Sequence, residues 1–387
     1  MVKKAIVSLL FLGLIAAAIW GPIPLPRSTG KGDFLAYWSA TWLLSSGQNF
    51  SDPELLWEVE RTQTEWQGDF AVVTWNPPWL LALLLPYALV SFWRAVWLWL
   101  LTNILMIFVG SALVWHTLAT EERSRKWGHF APLIGLLFTP TLVALHMGQV
   151  NTLVFFGMAL FLFFDSRKRP FLSGMSLILT LVKPHLVYIT IPLLLLDAVH
   201  KREWRKIAGL TVALVSLTSV VFILRPTFIT GYGSSISGGN LLGWETPTLG
   251  GILALTLGWQ SSKLMGIFVL PAAIFYWWRH KNKISTHELV TASLLLSVIT
   301  APFGWNYDVI VLLIPLFQMV LWLIEGKWRW GETAVIALIL LLTNYFSIQQ
   351  RTYGLSEVYL FWLPITLAAI YSWIYFRIGM GSNRLPS

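Results

Sequence analysis

Thirteen apolar stretches alternate with short polar ones along the chain, at 5–20, 77–90, 92–118, 129–146, 150–164, 171–182, 185–198, 207–224, 262–279, 285–302, 307–324, 331–346 and 356–376. A helix that crosses the hydrocarbon core upright needs about 20 apolar residues. Several stretches are shorter, so the pattern predicts an all-α polytopic membrane protein with some helices tilted, broken or re-entrant. PPWLLALLLPYALV (77–90) is the ambiguous stretch. As a helix it reaches about 21 Å against a core of about 30 Å, and Pro86 interrupts it.

The basic residues decide whether 77–90 crosses, because cytoplasmic loops carry an excess of Lys and Arg. If it does not cross and the N-terminus is cytoplasmic, seven basic segments share the cytoplasmic side. They are Lys3/Lys4, RSRK (123–126), RKR (167–169), KREWRK (201–206), RHKNK (279–283), KWR (327–329) and the tail with Arg377 and Arg384, and they hold 19 of the 27 Lys and Arg. A crossing at 77–90 would invert every later loop and abolish the bias. The expectation is therefore a half-inserted helix at 77–90 on the outer side and about 12 transmembrane helices (10–14), with both termini cytoplasmic. The chain reads as one integral-membrane domain, 1–387. It has a first outer loop at 21–76 with interfacial helices and a second at 225–261, and no internal repeat or soluble domain is visible.

Composition supports this class. Charged residues make up 12% of the chain, against about 25% in soluble domains, and 23 tryptophans suit many membrane-interface crossings. The absence of cysteine excludes disulfides, thiolate metal sites and cysteine nucleophiles. The net charge of +9 is spread over short loops, which fits membrane orientation better than nucleic-acid binding. The start, MVKKAIVSLLFLGLIAAAIW, has the form of a signal peptide. A polytopic protein usually keeps its first span, so an uncleaved signal-anchor is expected.

This topology collects polar residues at the outer helix ends: Asp33 and Tyr37, His146, Gln149 and Asn151, Lys183 and His185 around Pro184, Arg225, Asn306, Tyr307 and Asp308, and Arg351. Each has a structural reading beside a functional one. Asp33 suits an N-cap on an interfacial helix, and Gln149 and Asn151 suit a hairpin turn or interhelical hydrogen bonds. A lysine at mid-membrane costs about 3 kcal/mol, so Lys183 faces a cavity or partner or else snorkels to the interface. Arg225 and Arg351 suit headgroup anchors. Asn306 and Asp308 flank a turn whose backbone they can serve.

One carboxylate, several cations and a membrane-depth cavity suggest group transfer from a lipid phosphate. Glycosidases need two carboxyl groups, one to protonate a poor leaving group. A sugar on a polyprenyl phosphate leaves as a stable anion, so one base acting on the acceptor hydroxyl is enough, and the anomeric centre inverts. Lys183, His185, Arg225 or Arg351 would stabilise the departing phosphate, and Tyr37 and Trp38 would stack on sugar faces. No paired-acid or His/Asp cluster suits Mg²⁺ or Mn²⁺, so no cofactor is expected, with an improvised Asp33/Asp308 site as the alternative. A transporter or lipid flippase is the main competing class, although no repeated halves are visible.

In order along the chain, GDFLAYWSATWLLSSGQ, WNPPWLLALLLPYALV, GQVNTLVFFGMALFLF, SGMSLILTLVKPHLVYITIPLLLL and PFGWNYDVIVLLIP resemble glycosyltransferase family 87, of the GT-C superfamily. The resemblance runs over roughly residues 5–325, carried by the order of the motifs rather than by any one of them. It implies a GT-C-type fold and an inverting transferase. The donor would be a polyprenyl-phosphate hexose, with mannose as the family-based expectation, and the acceptor a lipid or glycan at the outer face of the cytoplasmic membrane. It also implies Asp33 as catalytic base, and it matches the family's glycine-glutamine-x-asparagine turn at Gln149 and Asn151 and its lysine-proline element at Lys183 and Pro184; Tyr37, His185, Arg225, Asn306, Asp308 and Arg351 complete the substrate-binding candidates from their place at the outer helix ends alone. Pro77 and Pro78 match the family's proline pair. Family members often carry histidine after the tryptophan of the late outer turn, where this chain reads Trp305, Asn306, Tyr307, Asp308.

Overall fold

The computed structural model describes residues 32–238, 243–326, 328 and 330–382. The expected signal-anchor at 5–20 lies outside the described residues, as do residues 21–31 of the first outer loop. The described residues form α- and 3₁₀-helices and no strand.

The first two helices are α1 (Asp33–Ser45) and α2 (Pro53–Thr64). Asp52 caps α2 by accepting the amides of Glu54 and Leu55, and Pro53 at the first position has no amide to leave unpaired. Helix α3 (Trp79–Ala88) carries Pro86 and reaches about 15 Å. That is short of the hydrocarbon core of about 30 Å. Helix α4 (Phe92–Leu118) is long and apolar enough to span.

Helix α5 (Glu122–Lys126) runs on through a 3₁₀ turn into α6 (Ala131–Leu137), and this run Glu122–Leu137 would form one span with α7 (Thr139–Met147) but for a 57° bend between them. Pro140 explains it: a proline lacks the amide that would continue the helix across the break. The Asn344 side chain accepts the freed Thr139 amide at 2.7 Å. Next come α8 (Asn151–Ser166) and α9 (Pro170–Ser176), the latter continued by a 3₁₀-helix, Leu177–Val182. Pro184 then breaks the run, with Lys183 in a non-helical conformation (φ −133°, ψ 75°), as a residue before proline prefers.

Helix α10 (Thr190–His200) precedes α11 (Trp204–Leu224). A Cβ at Gly174 would lie 1.8 Å from the Lys206 carbonyl, and one at Gly209 2.1 Å from that of Phe171. Only glycine lets α9 and α11 approach backbone to backbone. The rest of the chain builds α12 (Phe228–Gly238), α13 (Leu249–Leu257), α14 (Gly266–His280) and α15 (Thr286–Thr300). It ends with α16 (Leu313–Glu325), α17 (Trp330–Thr352) and α18 (Trp362–Ser382). A Ser285/Glu288 capping box starts α15.

Among the described residues, five helical runs are long and apolar enough to span, or six with the bent pair: Phe92–Leu118, Trp204–Leu224, Asn306–Glu325, Trp330–Gln350 and Glu357–Ile378. Their exposed faces carry large apolar side chains such as Ile223, Phe222, Leu341 and Phe346, a surface suited to lipid and costly in water. The chain is a polytopic helical membrane protein. Among the described residues, fewer full spans appear than apolar stretches because the helices at Trp79–Ala88, Pro170–Val182 and Thr190–His200 are short.

Two compact units result. The first comprises Met1–Met106, Ala144–Val150 and Val212–Gly239. Its core stacks Phe34 on Trp99 (5.8 Å, 8°) and on Phe92 (6.3 Å), with Tyr87 edge-on to Trp99. The indole N–H groups of Trp38 and Trp99 donate to the carbonyls of Tyr87 and Gly148. The second comprises Ile107–Val143, Asn151–Thr211 and Asn240–Ser387. There the Leu177–Val182 helix and the 3₁₀-helix Asn306–Leu312 pack on α8, and α10 packs on α15.

Candidate functional site

Two clusters of expected site residues form, one in each unit. In the first unit Asp33 occupies the first turn of α1, behind Gly32 at the N-cap position. It is thus helical rather than the cap itself, and a carboxylate here is favoured by the helix dipole. It is half-buried. Tyr37 is one turn further on the same face, 4% exposed, and its hydroxyl donates to Gln149 Oε1 at 3.3 Å. A Cβ at Gly32 would come within 2.8 Å of Met147 Cε, so the start of α1 abuts the end of α7. Gln149 is held in turn: its amide donates to the Ala144 carbonyl, and Trp99 Nε1 donates to Gly148. Asp33, Tyr37 and Gln149, far apart in sequence, therefore share one spot.

The same unit holds two residues with other neighbours. Arg225 Nη1 donates to the Gly47 carbonyl at 3.2 Å, just past the end of α1. Glu60, not singled out from the sequence, is fully buried on α2, with both carboxylate oxygens accepting the Val72 amide at 3.2 and 3.0 Å. Burial pushes its pKa up to about 7, against the lowering effect of that amide. The sequence carries a signal for it: Glu60 is four residues from Leu56, on the stripe of Leu56, Val59 and Thr64 that α2 buries.

In the second unit the break at Pro184 presents Lys183 to the turn before Asn306–Leu312. Lys183 Nζ donates to Asp308 Oδ1 at 2.7 Å, and the two side chains are only 5% and 2% exposed. Asp308 Oδ2 accepts the Trp305 amide at 3.0 Å and faces His185 Nε2 at 4.0 Å. Asp308 thus serves the turn's backbone with one oxygen and neutralises a buried lysine with the other. Aromatic rings enclose the pair. Lys183 Nζ lies 4.7 Å from the centre of the Tyr307 ring, and the His185 ring lies 4.3 Å from that of Phe303. Trp244 packs on both Phe303 and Trp305. Trp244 and Phe303 were not expected here; only the aromatics of the late turn, Phe303, Trp305 and Tyr307, hinted at such an enclosure.

Asn151 Nδ2 donates to the Tyr307 carbonyl. Asn151 Oδ1 and both polar side-chain atoms of Asn306 are buried with no hydrogen-bond partner among the described residues, while the Asn306 amide donates to Glu357 at 3.4 Å. Buried polar atoms are seldom left so, which marks this turn as a place where a hydroxyl or phosphate oxygen finds ready donors and acceptors. Of the expected residues, Asn151, Lys183, His185, Asn306 and Asp308 gather here. Arg351 falls in the last turn of α17, and its side chain lies outside what is described. Among the described residues no three His, Asp or Glu side chains group as metal ligands.

The family model of glycosyltransferase family 87 matches residues 74–315. That stretch contains Gln149, Asn151, the whole Lys183–Asp308 cluster and Arg225, and it begins after Asp33 and Tyr37. No protein of curated function and no solved structure matches the chain. The transporter reading gives way to a transferase. With its matched stretch spanning more than half of its length, the chain belongs to glycosyltransferase family 87.

Proposed function

We propose that the chain transfers a hexose, with mannose as first candidate, from a polyprenyl-phosphate donor to a hydroxyl of a lipid or glycan acceptor. Transfer takes place at the outer face of the cytoplasmic membrane, with about twelve helical segments at least partly inserted. The observation that carries this reading is Asp33: a half-buried carboxylate on the first turn of α1, next to the hydrogen-bonded Tyr37–Gln149 pair. Asp33 takes the proton from the acceptor hydroxyl as its oxygen attacks the anomeric carbon. The bond from that carbon to the phosphate oxygen breaks, its electron pair staying on the phosphate, and the sugar inverts. No acid is needed for a leaving group already stable as an anion, and no metal is assigned.

The donor phosphate is assigned to the cationic residues, Lys183 foremost. An ammonium carries three N–H donors, so a phosphate oxygen can share it with Asp308. Asn306 replaces the family's common histidine with a neutral amide that donates and accepts but does not titrate. In this reading it orients an oxygen rather than shuttling a proton.

The test is Asp33→Asn in lipid nanodiscs. Expected are a loss of transfer of at least about 100-fold, the lower end of what a positioned general base contributes, and unchanged donor binding. Near-normal turnover would remove Asp33 from the mechanism.

A further inference from the structure

Within the second unit an apolar groove of about 580 Å³ opens between α14, α10 and α15, running along α14 from Phe268 to Trp277. Its size is that of a ligand pocket, about 300–1,000 Å³. Leu193, Phe268, Ala273, Trp277, Ala292 and Leu296 line it. Its wall on α15 runs from Glu288 to Leu296, about 12 Å along the helix. Small residues on both α14 and α15 leave the space, while Phe268 and Tyr276 on its rim are exposed.

One end of this groove is cationic. Lys281 Nζ sits 5.9 Å above the ring of the lining Trp277, and the His200 ring meets the same indole at 6.3 Å. His280 stacks on the lining Tyr276 at 4.4 Å. His200 also hydrogen-bonds Asn282 at 3.0 Å and Lys201 donates to Thr286 at 3.4 Å. These contacts draw the turn after α10, with Lys201 and Arg202, to the turn after α14, with Lys281 and Lys283. The acids nearby are engaged: Asp197 pairs with Lys201 at 2.7 Å, and Glu288 caps Ser285. Basic loops are general in membrane proteins. What sets this one apart is that Lys281 rests on Trp277, the aromatic wall of an apolar groove.

We propose that this groove binds one anionic glycerophospholipid, with an acyl chain between α14 and α15 and the phosphate on the Lys281/Lys283/Lys201 cluster. An apolar slot sealed by cations matches that chemistry: the chain supplies burial and the phosphate supplies charge-assisted hydrogen bonds. The site is separate from the Lys183–Asp308 cluster and needs no transferase activity to be observed.

The experiment is native mass spectrometry of the delipidated full chain titrated with phosphatidylglycerol or phosphatidylcholine. Expected is one retained phosphatidylglycerol per chain, bound at least tenfold more weakly by Ala292→Phe, which fills the slot, and by Lys281→Glu/Lys283→Glu. Phosphatidylcholine should bind at least tenfold more weakly than phosphatidylglycerol. Equal retention of the two lipids, or unchanged phosphatidylglycerol affinity in the charge variant, would overturn the site. So would displacement of the phospholipid by polyprenyl phosphate at equimolar concentration, which would give the groove to the donor. Should Ala292→Phe not fold, the charge variant alone decides.

Discussion

Lys183→Met separates the two roles open to this lysine. Its ammonium is 2.7 Å from Asp308 Oδ1, and the side chains are 5% and 2% exposed. Removing the cation leaves Asp308 in place with only the Trp305 amide and the more distant His185 to offset its burial. Breaking a buried ion pair from one side costs about 3–5 kcal/mol, while replacing both partners by apolar groups is often neutral. Lys183→Met should therefore lose about 3–5 kcal/mol, and Lys183→Met/Asp308→Leu should recover most of it. The assay is reversible unfolding in mixed micelles, run as a double-mutant cycle. Coupling below about 0.5 kcal/mol, the level at which separate sites add, would refute the argument that the pair holds the Pro184 break to the Trp305 turn. Donor affinity measured on the double variant then separates binding from stability: a loss of affinity in a stably folded protein assigns the Lys183–Asp308 pair to the donor as well.

Further outcomes follow from the other buried groups. Glu60 ionises near 4.5 when unfolded and near 7 in the fold. Across that window the folded chain holds a proton that the unfolded chain releases, so stability falls as pH rises through it. Thermal melts across the window should show the decline, and Glu60→Gln should flatten it; an identical pH profile in the variant would count against this assignment. Tyr37→Phe leaves Gln149 Oε1 without its hydroxyl donor and should cost about 1–3 kcal/mol in the same unfolding assay. Transfer should survive EDTA; loss restored by Mg²⁺ or Mn²⁺ would show that a metal takes part.

Membrane class and helical content were legible because burial in lipid demands long apolar runs with internally bonded backbones. The break at Lys183–Pro184 was legible from its proline, and the short helix at 77–90 from the length of its apolar stretch. Topology alone put Lys183, His185, Asn306 and Asp308 at outer helix ends, but it put Asp33, Tyr37, Gln149, Asn151, Arg225 and Arg351 there with them and did not single out this group. Nor did it show that Asp308 is the lysine's partner, since sequence order carries no distances. Glu60 was missed because a carboxylate on an amphipathic helix reads as solvated, and its burial depends on the Val72 segment folding back over α2. The groove was missed because alanines on α14 and α15 read as ordinary helix formers, and a slot exists only once those helices are set side by side.

The central claim is transfer from a polyprenyl-phosphate sugar. The most direct measurement is a donor screen on the purified chain in nanodiscs, with polyprenyl-phosphate mannose, glucose, galactose and arabinose, a membrane-lipid extract as acceptor pool, and Asp33→Asn as control. Asp33-dependent transfer of a hexose, mannose first, is the predicted result. Transfer from a nucleotide sugar instead, with no polyprenyl-phosphate donor bound or consumed, would contradict it.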